Sequence, residues 1–273
     1  MALVPFPGSA QPAPYADPEP DDDLDRDEDG AGGKMSFLEH LDELRHRLIV
    51  SVIAVIGGFI VALIFINDIF GFVMRPLQEI LPEGGRLIYT APTEALLLHL
   101  KVAALAGLMF AAPVVMWQVW LFVAPGLYAN EKRFALPFII VSSLSFVAGG
   151  AFSHFVVFPK AWAFLASFNT DYMEFLPRIS ETFGLYAKMA LAFALIFQMP
   201  TVVFALARMG VVTAGFLARQ FKYAVLAMFI ISAIITPTSD PMNQTLMAGS
   251  MIALYGVSIV IAWAFGRGSA GRG

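Results

Sequence analysis

The chain has 273 residues, of which 58% are apolar and 14% are charged, with a formal net charge of −4 and no cysteine. Soluble domains are about 45–50% apolar and about 25% charged, so this composition excludes a soluble globular protein and indicates a membrane protein with several spans. The absence of cysteine excludes disulfides, thiol catalysis and thiolate metal sites.

The first segment, residues 1–34, is rich in proline, aspartate, glycine and alanine and holds nine of the 21 acidic residues. It shows no apolar periodicity, so it buries too little surface to offset the entropy of ordering. It also lacks the regions of a signal peptide or a transit peptide. We expect a disordered acidic tail, with Met35 as an alternative start, then a membrane domain over 35–266 and a short tail over 267–273.

The next segment, 36–48, reads SFLEHLDELRHRL and directly precedes an uncharged apolar run. Apolar residues recur in it at spacings of three and four, which predicts a helix with one apolar face. Glu43 and Arg47 stand four residues apart, in the order that stabilises a helix. Two interpretations stay open: a surface helix with internally paired charges, or a carboxylate site for a basic ligand.

Six apolar segments are candidate membrane spans, since a bilayer core of about 30 Å needs about 20 helical residues. Prolines 113 and 200 are expected to kink two of them. Thirteen helical residues reach only about 20 Å, so the fifth span is short. The predicted spans are 48–66, 102–128, 134–158, 183–206, 223–235 and 242–264.

The segments between the spans are predicted to be polar loops. Residues 67–101 include Pro76, Pro82 and a glycine pair, and Pro159-Lys160 is expected to close the third span. The prolines of 236–241 exclude helix there. With the N-terminus inside, ten lysines and arginines fall on the inner side and six on the outer side, which predicts six spans with both termini in the cytoplasm.

The inner loop after the second span carries a second acidic candidate. Trp117, Trp120 and Tyr128 suit an interfacial aromatic belt. Glu131 is the only acid between Glu94 and Asp171, and the predicted topology puts it on the side of Glu43. Two carboxylates there are suited to bidentate contacts with guanidinium groups. The alternative is that Glu131 pairs with its neighbours Lys132 or Arg133.

Polar residues within the spans are few. Gln198 needs a partner, either in its own bundle or in the helix of another chain, and His154 is expected to be satisfied within the bundle. Asp240 is a candidate N-cap for the last span. The motifs of serine hydrolases, zinc proteases and P-loop nucleotide-binding proteins are missing. We therefore expect no catalytic residue, metal or cofactor. A secondary transporter or an intramembrane protease would need ionisable or catalytic residues that the spans lack.

Seven motifs together resemble the TatC family, the multispanning subunit of the twin-arginine protein translocase. The resemblance covers about 36–265, and the motifs fall in family order: FLEHLDELRHRL, RPL, TAPTE, QVWLFVAPGLY followed by EKR, FVVFP, FQMP and TPTSDPMNQT. It implies an all-α, cup-shaped bundle of six helices, the last two short, in the bacterial inner membrane. This subunit, which is not an enzyme, would bind twin-arginine signal peptides of folded proteins and work with TatA, TatB and further copies of itself, driven by the proton-motive force.

The resemblance also implies roles for particular residues. Glu43 and Glu131 would meet the two arginines, with Arg45, Phe122, Tyr128, Lys132 and Arg133 around them. Gln198 and Pro200 would contact partner helices, and Gln198 stands where many members carry glutamate. Pro76, Glu94 and Asp240 would be functional positions on the outer side. The partners are therefore expected to be proteins and lipid, and not nucleic acid.

Overall fold

The structure, a computed structural model, describes residues 37–81, 87–123, 135–168, 170, 172, 175–236 and 241–266. The chain divides into Met1–Asp42 and Glu43–Gly273, and all the packing described here lies within the second unit. The described residues are almost entirely helical. In chain order the helices are α1 (Phe37–Ile64), α2 (Ile66–Gln78), α3 (Glu94–Val123), α4 (Ala135–Phe152), a π-helical turn (Ser153–Val157), α5 (Phe158–Ala166), α6 (Ile179–Ile196), α7 (Met199–Arg208), α8 (Ala214–Arg219), α9 (Phe221–Ile235) and α10 (Pro241–Phe265).

Within the described residues, five stretches of helix are long and apolar enough to cross a membrane: Leu41–Ile64, Glu94–Phe122, Leu136–Ala166, Ile179–Arg208 and Pro241–Phe265. The fifth predicted segment forms α9, a mainly apolar helix of 15 residues that reaches about 22 Å. The expected short fifth helix is therefore present. The expectation of a short last helix is wrong, because α10 has 25 residues.

The loop predicted after the first span instead begins with a helix, α2. One face of α2 is buried through Val73, Met74, Pro76 and Leu77. Pro76 lies in the last turn of α2. Its missing N–H leaves one backbone carbonyl of the preceding turn without a helical donor. A short helix of this kind is stabilised by the burial of its apolar face. The polar residues and the proline of this stretch did not indicate a helix.

The third span does not end at Pro159 as predicted. A π-helical turn precedes this proline, which then occupies the first turn of α5. Proline is tolerated there because the first turn of a helix needs no backbone donor at that position. Helix therefore continues to Ala166. At Pro200, where a kink was predicted, the helix is interrupted, since α6 ends at Ile196 and α7 begins at Met199.

Small residues allow two pairs of helices to touch through their backbones. A Cβ atom added to Gly149 of α4 would lie 2.4 Å from the carbonyl oxygen of Phe193 in α6. A Cβ added to Gly58 of α1 would lie 2.3 Å from the carbonyl oxygen of Gly107 in α3. Side chains larger than glycine are excluded at these crossings, in the way that small residues allow close helix packing in membranes.

Candidate functional site

The first candidate carboxylate, Glu43, lies in the first turns of α1 and pairs with Arg47 as predicted. Arg47 Nη2 donates to Glu43 Oε1 at 3.1 Å, and the Glu43 side chain is only 15% exposed. The second carboxylate oxygen, Oε2, is buried and has no hydrogen-bond partner among the described residues. The internally paired charges of the first interpretation are therefore observed, and the carboxylate site for a basic ligand stays a prediction.

The other residues proposed for this site are described only in part. Arg45 is exposed on α1, and Phe122 is half-buried near the end of α3. α1 and α3 are consecutive candidate spans, so the predicted topology puts the end of α3 on the side where α1 begins. The chain from 124 to 134 follows directly. Four predicted residues of this site lie outside the described residues, as does Asp240: Tyr128, Glu131, Lys132 and Arg133.

Glu94, at the start of α3, is the most fully hydrogen-bonded carboxylate in the described part of the chain. Its Oε2 accepts from the backbone N–H groups of Thr90 at 2.6 Å and Ala91 at 3.3 Å. Its Oε1 accepts from Ser180 Oγ at 2.6 Å and from Arg178 Nη2 at 3.4 Å. Four donors match the acceptor capacity of a carboxylate, so the hydrogen bonds of Glu94 hold neighbouring segments together.

Around this carboxylate the segment before α3 is joined to the segment before α6. Arg178 Nη2 also donates to Thr90 Oγ1 at 2.6 Å. The backbones form a parallel bridge, in which Ile179 donates to Ile88 at 2.9 Å and Ile88 donates to Pro177 at 3.2 Å. Sequence reasoning singled out Glu94 but missed Arg178 and Ser180, since nothing in the sequence pattern connects residues more than 80 positions apart.

Gln198 is satisfied within its own bundle. Its Nε2 donates to the carbonyl oxygen of Ser142 in α4 at 2.9 Å, and the residue as a whole is half-buried. Pro200, two residues later, is also half-buried in the first turn of α7. The first of the two alternatives for Gln198 is therefore met, and a contact with another chain stays a prediction. Pro76, by contrast, is buried within α2.

His154 is buried, as expected of a residue satisfied within the bundle. It is 3% exposed, and its Nδ1 lies 3.0 Å from the hydroxyl oxygen of Tyr186, itself 5% exposed. The ring of Phe72 from α2 stacks on the imidazole with centroids 4.3 Å apart. Within the described ranges, no group of three or more His, Asp or Glu side chains could hold a metal ion.

Comparison with known proteins gives a consistent result. The family described as "Sec-independent protein translocase protein (TatC)" matches residues 39–249. Among curated proteins, the Sec-independent protein translocase protein TatC of Koribacter versatilis is 42% identical over 232 residues, 84% of this chain and 85% of the relative. The protein of the same name from Desulforapulum autotrophicum is 42% identical over 234 residues, 86% of each chain.

Solved structures agree with these sequence relatives. The crystal structure of the twin arginine translocase receptor TatC in DDM has a TM-score of 0.73 and 36% identity, over 82% of this chain and 99% of that one. A second crystal structure of the twin arginine translocase receptor TatC has a TM-score of 0.70 at the same identity, over 82% and 98% of the two chains.

Proposed function

This chain belongs to the TatC family of Sec-independent protein translocase proteins, and we propose on that basis that it is the signal-peptide receptor of a twin-arginine translocase. In this role it binds the tandem arginines of folded precursor proteins at the membrane surface where α1 begins. It does so by recognition and assembly, with no chemical step of its own. The proton-motive force drives the transport that follows.

The observation that carries this proposal is the free oxygen of Glu43. One oxygen of the carboxylate is held by Arg47 at 3.1 Å, and the other is buried without a partner among the described residues. A carboxylate already withdrawn from water loses little further hydration when a guanidinium group binds it. Once the Glu43 side chain turns to expose Oε2, an incoming arginine would donate to it, a charge-assisted hydrogen bond of the stronger kind.

The second arginine of the signal needs a second acceptor, and Glu131 is the residue proposed for it. The segment that holds Glu131 follows α3, which the predicted topology ends on the side where α1 begins, and this supports the pairing of the two carboxylates. The planar fork of a guanidinium can bridge two oxygens, whereas a lysine ammonium acts as a compact point charge. Arg45, Phe122, Tyr128, Lys132 and Arg133 are proposed to surround the two carboxylates.

Partner subunits are proposed to meet the chain within the membrane near Gln198 and Pro200. The half-buried amide already donates to Ser142, so its own carbonyl is the group available to a helix of a TatA-type or TatB-type subunit, or of a second copy of the chain. Because an amide does not ionise, this contact depends on hydrogen bonding and not on a change of charge. Pro76, Glu94 and Asp240 are proposed to act on the opposite side of the membrane.

The proposed arrangement is a cup-shaped bundle with six spans in the bacterial inner membrane and both termini in the cytoplasm. The five long spans and the apolar helix α9 support the count of six. Since α9 reaches only about 22 Å, it would cross where the bilayer is thinned or where partners cover its ends.

A crosslinking experiment tests the receptor assignment. A photoreactive signal peptide is presented to membranes that contain the wild-type chain or the Glu131→Lys or Glu43→Gln variant. We expect Glu131→Lys to abolish crosslinking and Glu43→Gln to reduce it strongly, while both variants insert normally. A twin-lysine peptide should bind the wild type about tenfold more weakly or worse, a difference of about 1.4 kcal/mol. Undiminished crosslinking of both variants would defeat the assignment.

A further inference from the structure

An apolar cavity in the described part of the chain lies under α2. It has a volume of about 420 Å³ and is bounded by α2, α3, α4 with its π-helical turn, and α6. Its lining is almost wholly apolar. The residues that matter for the argument are Asp68, Phe72, Ala106, Met109, His154 and Tyr186.

The cavity runs from the membrane boundary towards the middle of the bilayer. Asp68 is exposed at its rim, four residues after the end of the first span at Ile64. Met109 lies near the midpoint of the 30-residue helix α3. The stretch of α3 that lines the cavity, from Val102 to Phe110, rises about 12 Å. Half of a bilayer core is about 15 Å thick, so the depth of the cavity corresponds to one lipid leaflet.

The lining of the cavity presents few hydrogen-bonding groups to water. Its buried polar pair, His154 and Tyr186, is mutually satisfied at 3.0 Å. Cavities lined by apolar groups without free polar partners stay dry and take up apolar molecules. In a bilayer the most abundant apolar groups are the acyl chains of phospholipids.

A protein helix and an acyl chain are the two apolar occupants that a bilayer offers. A helix with its side chains is about 10–12 Å across, whereas an acyl chain is a single file of methylene groups. An acyl chain is narrow enough to enter. At the rim, the carboxylate of Asp68 is the one charged group among the lining residues, and it is complementary to an ammonium headgroup and repels an anionic one.

We propose that this cavity is a lipid site, in which one acyl chain of an aminophospholipid such as phosphatidylethanolamine lies between α2 and α3 with its ammonium group beside Asp68. The lipid would fill the space beneath α2 and hold that helix against α3 and the π-helical turn. This inference rests on the cavity alone, so it stands or fails separately from the receptor function.

The first test measures the lipids that remain bound to the full-length chain after purification in detergent, by mass spectrometry. Ala106→Phe places a ring in the cavity, and Ala104→Phe is the matched control on an exposed face of the same helix. We expect retained phosphatidylethanolamine to fall about tenfold in Ala106→Phe because the added ring occupies the site. The control should retain as much as the wild type. Equal retention by Ala106→Phe would overturn the proposal.

The headgroup assignment has its own variant, Asp68→Asn. Exposed ion pairs are weak, so we expect the preference for phosphatidylethanolamine over phosphatidylglycerol to fall only about threefold, while total retained lipid stays near the wild-type amount. An unchanged preference would overturn the role of Asp68.

A measurement on the wild-type chain avoids dependence on the folding of any variant. Phosphatidylethanolamine with a diazirine on its acyl tail is incorporated into vesicles with the protein and activated by light. We expect labels concentrated on the peptides around Met109 and His154. Labels spread evenly over the exposed apolar surface of α1 would overturn the proposed site. So would a polypeptide crosslinked in the cavity in place of the lipid.

Discussion

Ser180 Oγ donates a 2.6 Å hydrogen bond to Glu94 Oε1 and thereby ties the start of α6 to the start of α3. Both helices begin candidate spans, and the contact joins their first turns. The same carboxylate closes the turn before α3 through the N–H groups of Thr90 and Ala91. The Glu94 side chain therefore stabilises the first turn of α3 and also holds the start of α6 close to the start of α3.

Removal of this tie is expected to loosen the two helix starts. Glu94→Ala should lower the Tm of the purified protein by several degrees, because it removes four hydrogen bonds at once, and Ser180→Ala should lower it less. In a double-mutant cycle the combined loss should be smaller than the sum of the two single losses, since both variants break the same contact. Strict additivity would show that the two residues act independently.

The crossing of α4 and α6 should tolerate no side chain at Gly149. An added Cβ meets the carbonyl oxygen of Phe193 at 2.4 Å, so Gly149→Ala forces the backbones apart at a cost of about 1–3 kcal/mol. Gly184 in α6 is the matched control, because nothing lies within 4 Å of its added Cβ. Gly184→Ala should stabilise the helix by up to about 1 kcal/mol. Thermal unfolding in detergent measures both, and equal effects would contradict the close crossing.

The buried pair of His154 and Tyr186 should behave as a unit. Tyr186→Phe leaves His154 Nδ1 without its partner at 3.0 Å, at a cost of about 1–3 kcal/mol. Combining it with His154→Phe should recover part of this loss, because no unpaired polar group then remains. Tyr223→Phe, at an exposed tyrosine, should change stability little. A double variant less stable than Tyr186→Phe would argue against the pair.

Assembly should depend on the side chain of Gln198. Gln198→Leu removes the amide that contacts Ser142 and is expected to weaken co-purification of TatA-type and TatB-type subunits. Gln198→Glu keeps the acceptor oxygen proposed for the partner helix but loses the donor to Ser142, so it separates the partner contact from the contact within the bundle and should retain the partners. If the leucine variant recovers as much partner as the wild type, Gln198 serves packing within the bundle only.

Reporter fusions test the number and direction of the spans. A reporter fused after residue 240 should report the outer side, and one fused after residue 267 should report the cytoplasm. This result requires α9 to cross the membrane despite its 15 residues. If both fusions report the same side, α10 does not cross, and if both report the opposite of the expected side, the orientation is inverted.

Much of the fold could be read from the sequence because a membrane span is a local property. Within the bilayer the backbone must satisfy its own hydrogen bonds, so an apolar run of sufficient length forms helix whatever its neighbours are. The six apolar segments appear accordingly as helices near their predicted positions. Local chemistry also predicted the pair of Glu43 and Arg47, which depends only on the four-residue spacing along one helix.

Prolines limited this prediction. The sequence pattern marked Pro76 as loop and Pro159 as the end of a span, yet α2 contains the first and helix continues past the second. Pro159 is compatible with helix because the first turn needs no donor there, whereas at Pro76 the burial of one face of α2 compensates for the one backbone hydrogen bond that is lost.

By itself, the sequence determined the membrane class, the approximate positions of the spans, the acidic candidate at the start of α1 and the family. Only the tertiary structure decided that Glu94 joins Arg178 and Ser180, that His154 meets Tyr186, that Gln198 donates to Ser142, and that a cavity lies under α2. Spans follow from local hydrophobicity and backbone hydrogen bonding, whereas these partners are 32 to 86 positions apart. They meet only when helices pack, and close approaches such as that of Gly149 to Phe193 depend on two separate segments.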